Sequence, residues 1–432
     1  MKKLGCGVLG FLLVVFGMAL PAFADENDVS ELKEQIGKLT KRVAELESQA
    51  ERPANIVPSG AAPAGNVIEG ALSGVKLTGF VDTGYHWNFH QPPRSATPSG
   101  TAVTRNQSIG VFDTNANSFT LHAVEVDLEK TAPEDGGVGF RTDFLYGMDA
   151  KVINSTGAEI DEFDIEQAYV DGRIPIHALD GNEVLGDNLY VRVGKYVTLA
   201  GAEVIEAKDN WNVTRSILFG YAIPFTHTGV RGAYGMWSDK VTLTAGLNNG
   251  WDVLEDNNTG KTFEGQIAFK PTDDFLLTGT LYAGPENLNQ GSHRRQLWDF
   301  VALWRATDKL SLMANIDVGR EARVVSGSDV DDAQWWGWAL YARYQATEKL
   351  AFAGRTEWFL DDDRFRVGTG SLQNALDARE RDYWEWTYTT EYKIYDNLIS
   401  RLEYRYDWAD TKIFDGESYQ STISAQLIYN FA

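Results

Sequence analysis

Polar and apolar residues alternate along most of the chain after residue 74, and the last segment shows this most clearly. From Tyr419 to Phe431, apolar or aromatic side chains occupy most odd positions and polar side chains most even positions. Successive side chains of a β-strand point to opposite faces, so the segment has one apolar and one polar face. A soluble sandwich shows the same alternation. The aromatic residues that end the apolar face favour the closing strand of a transmembrane barrel.

Short turns divide the chain at intervals that suit pairs of strands. Five turns contain an acidic residue: Ser238–Val241, Thr272–Phe275, Thr307–Leu310, Thr347–Leu350 and Tyr395–Leu398. Their acidic residues are 34, 35, 40 and 48 positions apart, which accommodates two strands of about ten residues and one longer loop. A propeller repeat of this length would need room for four strands. Two further tight links, at 133–137 and 177–188, bring the inner turns to seven. The sequence therefore predicts an all-β fold, an antiparallel barrel of about sixteen strands over residues 74–432.

Charged residues occupy the second face of several predicted strands. Leu402 and Tyr404 alternate with Glu403 and Arg405, for example. In a barrel of about sixteen strands, one face meets lipid and the other lines an aqueous lumen. We therefore expect a lumen that carries charges of both signs.

The N-terminus has the features of an export signal. A basic start at Lys2 and Lys3 precedes an apolar run from Leu4 to Leu20 and a small-residue site, Ala22-Phe23-Ala24. This pattern predicts a signal peptide over residues 1–24, cleaved after Ala24. Together with the predicted barrel, it indicates the outer membrane of a Gram-negative bacterium.

Residues 25–50 predict a short coiled-coil helix. Apolar residues recur at spacings of three and four to form a heptad seam: Val29, Leu32, Ile36, Leu39, Val43 and Leu46. A lone amphipathic helix against the barrel is the alternative. β-branched residues in the seam favour two strands, whereas outer-membrane barrels commonly form trimers, so a homotrimer is favoured and a dimer stays open. Residues 51–73 are rich in Pro, Ala and Gly and predict a linker.

Composition narrows the class of protein. The chain has 61 acidic and 39 basic residues, a net charge of −22, which argues against a nucleic-acid partner. After Ala24 no apolar run approaches the roughly 20 residues of a membrane-spanning helix. The only cysteine, Cys6, lies in the predicted signal peptide, and the six histidines show no metal-ligand spacing. We therefore expect no metal, no cofactor and no enzymatic reaction, with outer-membrane lipid and lipopolysaccharide as neighbours.

The longest early interruption, residues 197–225, separates the fifth predicted strand (Leu189–Tyr196) from the sixth (Thr226–Trp237). It contains four charged residues that we predict to form a pore constriction: Glu203, Glu206, Lys208 and Asp209. Its many apolar residues favour a segment packed inside the barrel over the alternative, an ordinary surface loop. There its acids would face arginines of the lumen wall: Arg141, Arg192, Arg231, Arg355, Arg401 and Arg405. Opposed charges across a narrow pore create a strong local field.

Several stretches resemble one family. Gly194-Lys195-Tyr196 with Gly201-Ala202-Glu203, the run from Pro224 to Val230, and Asn249-Gly250-Trp251-Asp252 are similar to the OmpL-like β-barrel porin family. The resemblance covers residue 74 to the end and implies an outer-membrane channel for small solutes. The chain departs from that pattern in two ways, because Ala432 follows the final aromatic residue and because the N-terminal heptads are an addition.

These observations predict a passive porin for small hydrophilic solutes and ions, and the excess of acidic residues predicts a weak preference for cations. Two alternatives stay open. One is a solute-specific channel, for sugars along lumen aromatics or for anions along an arginine ladder. The other is a structural or adhesive envelope protein that uses the coiled coil and the acidic outer loops.

Overall fold

The computed structural model describes residues 74–92, 95–96, 103–104, 109–155, 162–176, 185–326, 329–362, 365–367 and 381–431. The predicted signal peptide, coiled-coil seam and linker lie outside these residues. Among the helices that are described, none is both long enough and apolar enough to span a membrane.

Within the described residues, sixteen long strands make up almost all of the regular structure. The first eight are β1 (Lys76–Asn88), β4 (Ser118–Lys130), β5 (Gly137–Tyr146), β6 (Phe163–Pro175), β7 (Leu185–Val197), β8 (Thr226–Met236), β9 (Val241–Asn248) and β10 (Thr262–Thr272). The other eight are β11 (Phe275–Pro285), β12 (Arg294–Arg305), β13 (Leu310–Ser326), β14 (Asp329–Gln345), β15 (Leu350–Asp361), β16 (Arg381–Tyr395), β17 (Leu398–Ala409) and β18 (Tyr419–Phe431).

The remaining elements are short. β2 (Ser95–Ala96) and β3 (Val103–Thr104) are two residues long each and pair in a separate antiparallel sheet. The helix α1 (Met148–Ile153) follows β5. A 3₁₀ turn (Ala207–Asp209) and a π-helical turn (Leu218–Ala222) lie between β7 and β8.

The sixteen long strands form one closed antiparallel barrel. Each strand pairs with its neighbour in the chain, and β18 returns to pair with β1, where Gly79 is opposite Phe431 and Tyr85 is opposite Ala425. Closure leaves no strand edge unpaired. The predicted fold class and strand number are confirmed, and six of the seven predicted inner turns coincide with short links between consecutive strands. Of the seventh, predicted at 177–188, residues 177–184 lie outside the described residues and residues 185–188 belong to β7.

Threonine side chains account for the geometry of two of these turns. In Thr307–Leu310, the Thr307 hydroxyl accepts hydrogen bonds from the backbone N–H groups of Lys309 (3.3 Å) and Leu310 (3.0 Å). Thr347 makes the same pair of bonds in the next turn of this kind, at 3.3 Å and 3.0 Å. A Thr at the first position therefore closes the turn with its own side chain, as Ser and Thr do in such loops.

Burial in the strands is the reverse of that in a water-soluble sheet. On β17, Glu403 and Arg405 are buried, whereas Leu402 and Tyr404 are 57% and 45% exposed. Polar residues such as Asp, Glu and Arg are rarely buried without partners in soluble proteins. An apolar, aromatic-rich outer surface is what a barrel presents to lipid.

Within the described residues, register shifts interrupt the pairing of six strand pairs, and two of these shifts involve buried polar side chains. Between β1 and β4 the register shifts at Asp82/Thr83, so that both His122 and Ala123 are buried. Between β5 and β6 it shifts at Asp143/Phe144, which leaves Glu166 as the extra residue. A bulge inserts one residue and redirects the side chains that follow it.

Candidate functional site

The segment of residues 198–225 leaves β7 at a glycine turn. Gly201 has a φ of +97°, a conformation that strains residues with a Cβ atom. Its N–H donates to the Asp299 carboxylate on β12 at 3.1 Å, and the next N–H, of Ala202, donates to the Asn315 side chain on β13 at 3.1 Å. The segment is thus attached from its start to the polar face of strands distant from β7.

Arg355 is the buried centre of the contacts between the segment and β15. Its Nη1 donates to Glu203 Oε1 at 2.7 Å and to the Thr214 carbonyl at 2.6 Å, and its Nε donates to Glu385 Oε2 at 3.0 Å. Glu203 Oε2 also accepts from the N–H of Ser216 at 2.7 Å. Buried charges are tolerated when they are paired and hydrogen-bonded, and this network satisfies both conditions.

Two wall carboxylates bind successive backbone N–H groups of the segment. Glu403 accepts from Val213 at 2.6 Å and from Thr214 at 2.9 Å. Glu357 accepts from the N–H groups of residues 217 and 218 at 2.8 Å and 3.1 Å, at the start of the π-helical turn. Hydrogen bonds to an ionised carboxylate are stronger than neutral ones, so each pair is a firm anchor.

Two arginines of β17 bind backbone carbonyls of the segment. Arg401 donates to the carbonyls of Ala207 (2.8 Å) and Asn210 (2.7 Å), and Arg405 donates to the carbonyl of Arg215 (2.8 Å). These arginines therefore hold the backbone of the segment through its carbonyls.

The other three predicted wall arginines each pair with an acid on the same wall strand or no more than two strands away. Their partners are Asp143 for Arg141 (2.8 Å), Asp171 for Arg192 (2.9 Å) and Glu264 for Arg231 (2.8 Å). Of the six arginines, the structure thus brings Arg355 alone into an ion pair with a predicted acid of the segment, among the residues described.

The remaining predicted residues of the segment lie around its 3₁₀ turn. Lys208 and Asp209 pair with each other. Glu206 lies near two wall glutamates, Glu125 and Glu166, and burial raises the pKa of the Glu206 carboxyl above its usual range. We expected the acidic residues of the segment to face arginines of the wall, but Glu206 faces two glutamates instead.

Apolar packing holds the second half of the segment. Phe112 contacts Phe219 and Phe225, with ring centroids 5.9 Å and 5.7 Å apart. Trp335 on β14 is fully buried and donates from its indole nitrogen to the Ala222 carbonyl at 3.0 Å. The apolar residues of the segment are therefore used in its attachment.

A buried polar cluster beside the segment had no sequence signal. His86 on β1 and His122 on β4 approach through their Nε2 atoms at 3.1 Å, and the other ring nitrogen of His86 lies 2.7 Å from Ser424. Arg215 of the segment reaches Asp149 of α1 at 3.4 Å. These residues come from distant parts of the chain.

A closed sixteen-stranded barrel with an apolar outer face and a charged inner face defines an outer-membrane channel. The family described as "Putative beta-barrel porin-2, OmpL-like" matches residues 74–431. The chain belongs to this family, and it is a porin of the outer membrane.

Solved structures support the fold. The outer membrane channel DcaP of Acinetobacter baumannii has 12% identity and a TM-score of 0.52, covering 83% of this chain and 97% of that one. An anion-selective porin from Comamonas acidovorans has 10% identity and a TM-score of 0.52, covering 83% and 99%. OmpT of Vibrio cholerae, in a trimer form, has 10% identity and a TM-score of 0.50, covering 83% and 99%. No curated protein matches the sequence of this chain.

Proposed function

We propose that small hydrophilic solutes and ions diffuse passively through this barrel, and that the segment of residues 198–225 lies inside it and narrows the passage. The observation that carries the proposal is the bond from Arg355 on β15 to Glu203, together with its bond to the Thr214 carbonyl. A segment that begins at β7 reaches β15 only by crossing to another part of the wall. Loops buried in protein or lining a water-filled cavity are tolerated at membrane depth.

The narrowed passage has a weak preference for cations. The guanidinium groups of Arg355, Arg401 and Arg405 are buried and bound to carboxylates or carbonyls, so their charge is largely compensated. Asp209 pairs with Lys208, but its side chain is 57% exposed. A passage with exposed acids concentrates cations because its walls focus the field.

Transport needs neither a reaction nor a cofactor, because a solute gradient supplies the driving force. The protein is therefore a channel without enzymatic activity. Its residues provide only a water-filled path and a charged narrow region.

The mature protein forms a homotrimer in the outer membrane, with lipopolysaccharide around its outer loops and the signal peptide removed after Ala24. The trimer form of the Vibrio cholerae OmpT supports the trimer. The heptad seam from Val29 to Leu46 would then associate on the inner side of the membrane.

Single-channel recording in a planar bilayer under a salt gradient tests the proposal. We expect stable conductance steps and a modest reversal potential of the sign that indicates cations. A small conductance blocked by one class of solute would replace the general porin with a solute-specific channel. Absence of conductance from correctly folded protein would contradict the channel and favour a structural role.

A further inference from the structure

Three glutamates from separate elements converge at the 3₁₀ turn of the segment. They are Glu125 on β4, Glu166 on β6 and Glu206, which directly precedes the turn. One carboxylate oxygen of each lies within 4.8 Å of the others. Glu166 lies at the β5–β6 bulge, where it and the next residue, Gln167, are both buried.

The two wall glutamates are buried without compensation. Glu125 is 1% exposed and Glu166 is 0% exposed, and within the described residues neither carboxylate has a hydrogen-bond partner at either oxygen. Buried polar groups in native proteins are almost always hydrogen-bonded, and a buried carboxylate without a partner costs several kcal/mol, about the penalty of desolvating an ion. A bound cation would compensate all four oxygens.

Neighbouring basic groups are already committed to other acids. Arg141 pairs with Asp143 at 2.8 Å and Lys195 with Asp164 at 2.8 Å. Lys208 pairs with Asp209. The side chains of Asp127 and Asp143 add further negative charge around Glu125. The site is therefore strongly acidic, and among the described residues no basic side chain lies at its centre.

We propose that Glu125, Glu166 and Glu206 bind a divalent cation of the Ca²⁺ type. Hard cations take oxygen ligands, and Ca²⁺ bonds of about 2.3–2.6 Å allow two ligand oxygens to lie up to about 5 Å apart. Mg²⁺ bonds of about 2.0–2.1 Å require closer oxygens, and Zn²⁺ favours nitrogen and sulfur ligands. The all-oxygen donor set thus fits a hard divalent cation, and oxygens within 4.8 Å of one another can be spanned by Ca²⁺.

The cation joins the segment to a different part of the wall from its other anchors. Arg355 and Glu403 hold the segment to β15 and β17, whereas the glutamates hold it to β4 and β6. Ca²⁺ also cancels two of three negative charges, so it weakens the cation preference of the passage. Binding itself is independent of the proposed function, while this effect on selectivity rests on it.

Calorimetric titration tests the site directly. The full mature chain is refolded in detergent without lipopolysaccharide, stripped of metal with a chelator and titrated with CaCl₂, MgCl₂ and NaCl. We expect one Ca²⁺ per chain, with at least about tenfold weaker binding in Glu125→Gln and Glu166→Gln because ligand charge sets affinity. Glu129→Gln, on the same face of β4, is the matched control and should bind like the wild type.

A charge-conserving variant separates a built site from diffuse attraction. Glu166→Asp keeps the charge but withdraws the oxygens by one methylene, so Ca²⁺ affinity falls if the cation is ligated. Equal affinity in wild type, Glu166→Asp and Glu166→Gln, with folding checked by the heat-dependent gel shift of barrels, overturns the proposal. Absence of Ca²⁺ binding to the folded wild type does so as well.

Reversal potentials connect the site to transport. Millimolar Ca²⁺ should reduce cation preference in the wild type and leave it unchanged in Glu125→Gln. If calorimetry detects Ca²⁺ binding but the reversal potential does not change, the cation site is supported and the proposed constriction is contradicted. If the protein conducts ions but binds no Ca²⁺, the porin function is supported and the cation site is contradicted.

Discussion

Arg355 Nη1 donates a hydrogen bond to Glu203 Oε1 at 2.7 Å, although the two residues lie 152 positions apart in the chain. Arg355 also pairs with Glu385 at 3.0 Å. One guanidinium therefore satisfies an acid of the wall and an acid of the segment. The position of the segment depends on this shared partner.

Loss of Arg355 should widen the passage. In Arg355→Met, Glu203 and Glu385 lose their partner in a buried place, a change that typically costs about 3–5 kcal/mol. The segment then detaches in part, so single-channel conductance rises and becomes noisier. Arg305→Met, which removes an exposed pair with Asp274, is the control and should conduct like the wild type. Equal conductance in all three proteins would contradict this role.

Two wall glutamates should protect different backbone amides from hydrogen exchange. Glu403→Gln weakens the bonds to residues 213–214, and Glu357→Gln those to residues 217–218. A charged hydrogen bond contributes about 1.5–3 kcal/mol, so exchange should accelerate about 10- to 100-fold at the affected pair. Each variant serves as the control for the other. Acceleration spread evenly over the whole segment would show that it opens as a unit.

Replacing glycine by alanine should lower the thermal stability of the barrel at one strand position and leave it unchanged at another. A Cβ at Gly319 would lie 1.9 Å from the buried Trp335 ring, whereas at Gly354 the nearest atom is 3.7 Å away. Gly319→Ala must displace the tryptophan that binds the Ala222 carbonyl, and such overpacking costs about 1–3 kcal/mol. We expect a lower thermal midpoint of the gel shift for Gly319→Ala and an unchanged one for Gly354→Ala. A similar midpoint for both variants would show that Trp335 moves freely.

The loop after β9 should pack more tightly in acid. Burial raises the pKa of Glu286 to about 7, and its carboxyl group accepts a hydrogen bond from the N–H of Trp251 at 2.7 Å. A raised carboxyl pKa favours the protonated folded form, so this stabilisation is complete below the ordinary pKa of about 4.3 and is lost as pH rises through 7. Exchange of the Trp251 amide, corrected for its intrinsic pH dependence, should therefore slow from pH 8 to pH 5. Glu286→Gln should remove that dependence, and a wild type without it would contradict the assignment.

The sequence predicts the barrel well because its signals are local. Alternation along strands such as β17 and the Thr-acid-Lys-Leu turns at 307 and 347 depend on neighbouring residues only. Seven inner turns and two free end strands then require sixteen strands, and the structure confirms that number.

Alternation fails at the bulges. Counted strictly along β4, Glu125 shares the parity of Phe119 and Leu121, which are exposed on the outer face. The extra residue at His122 reverses that parity, so Glu125 is buried instead. No residue type marks this insertion, because a bulge is a property of the pairing between two strands.

The sequence by itself determined the strands, the turns, the length of the segment after β7 and the family, since each depends on short-range pattern or on motifs. Only the tertiary structure decided which charges meet. Barrel closure brings Arg355 to Glu203, and the β1–β4 bulge turns Glu125 inward, where it meets Glu166 and Glu206. The physical reason is that strand register and barrel closure set these pairings, and both depend on how separate strands align rather than on any fixed spacing in the chain.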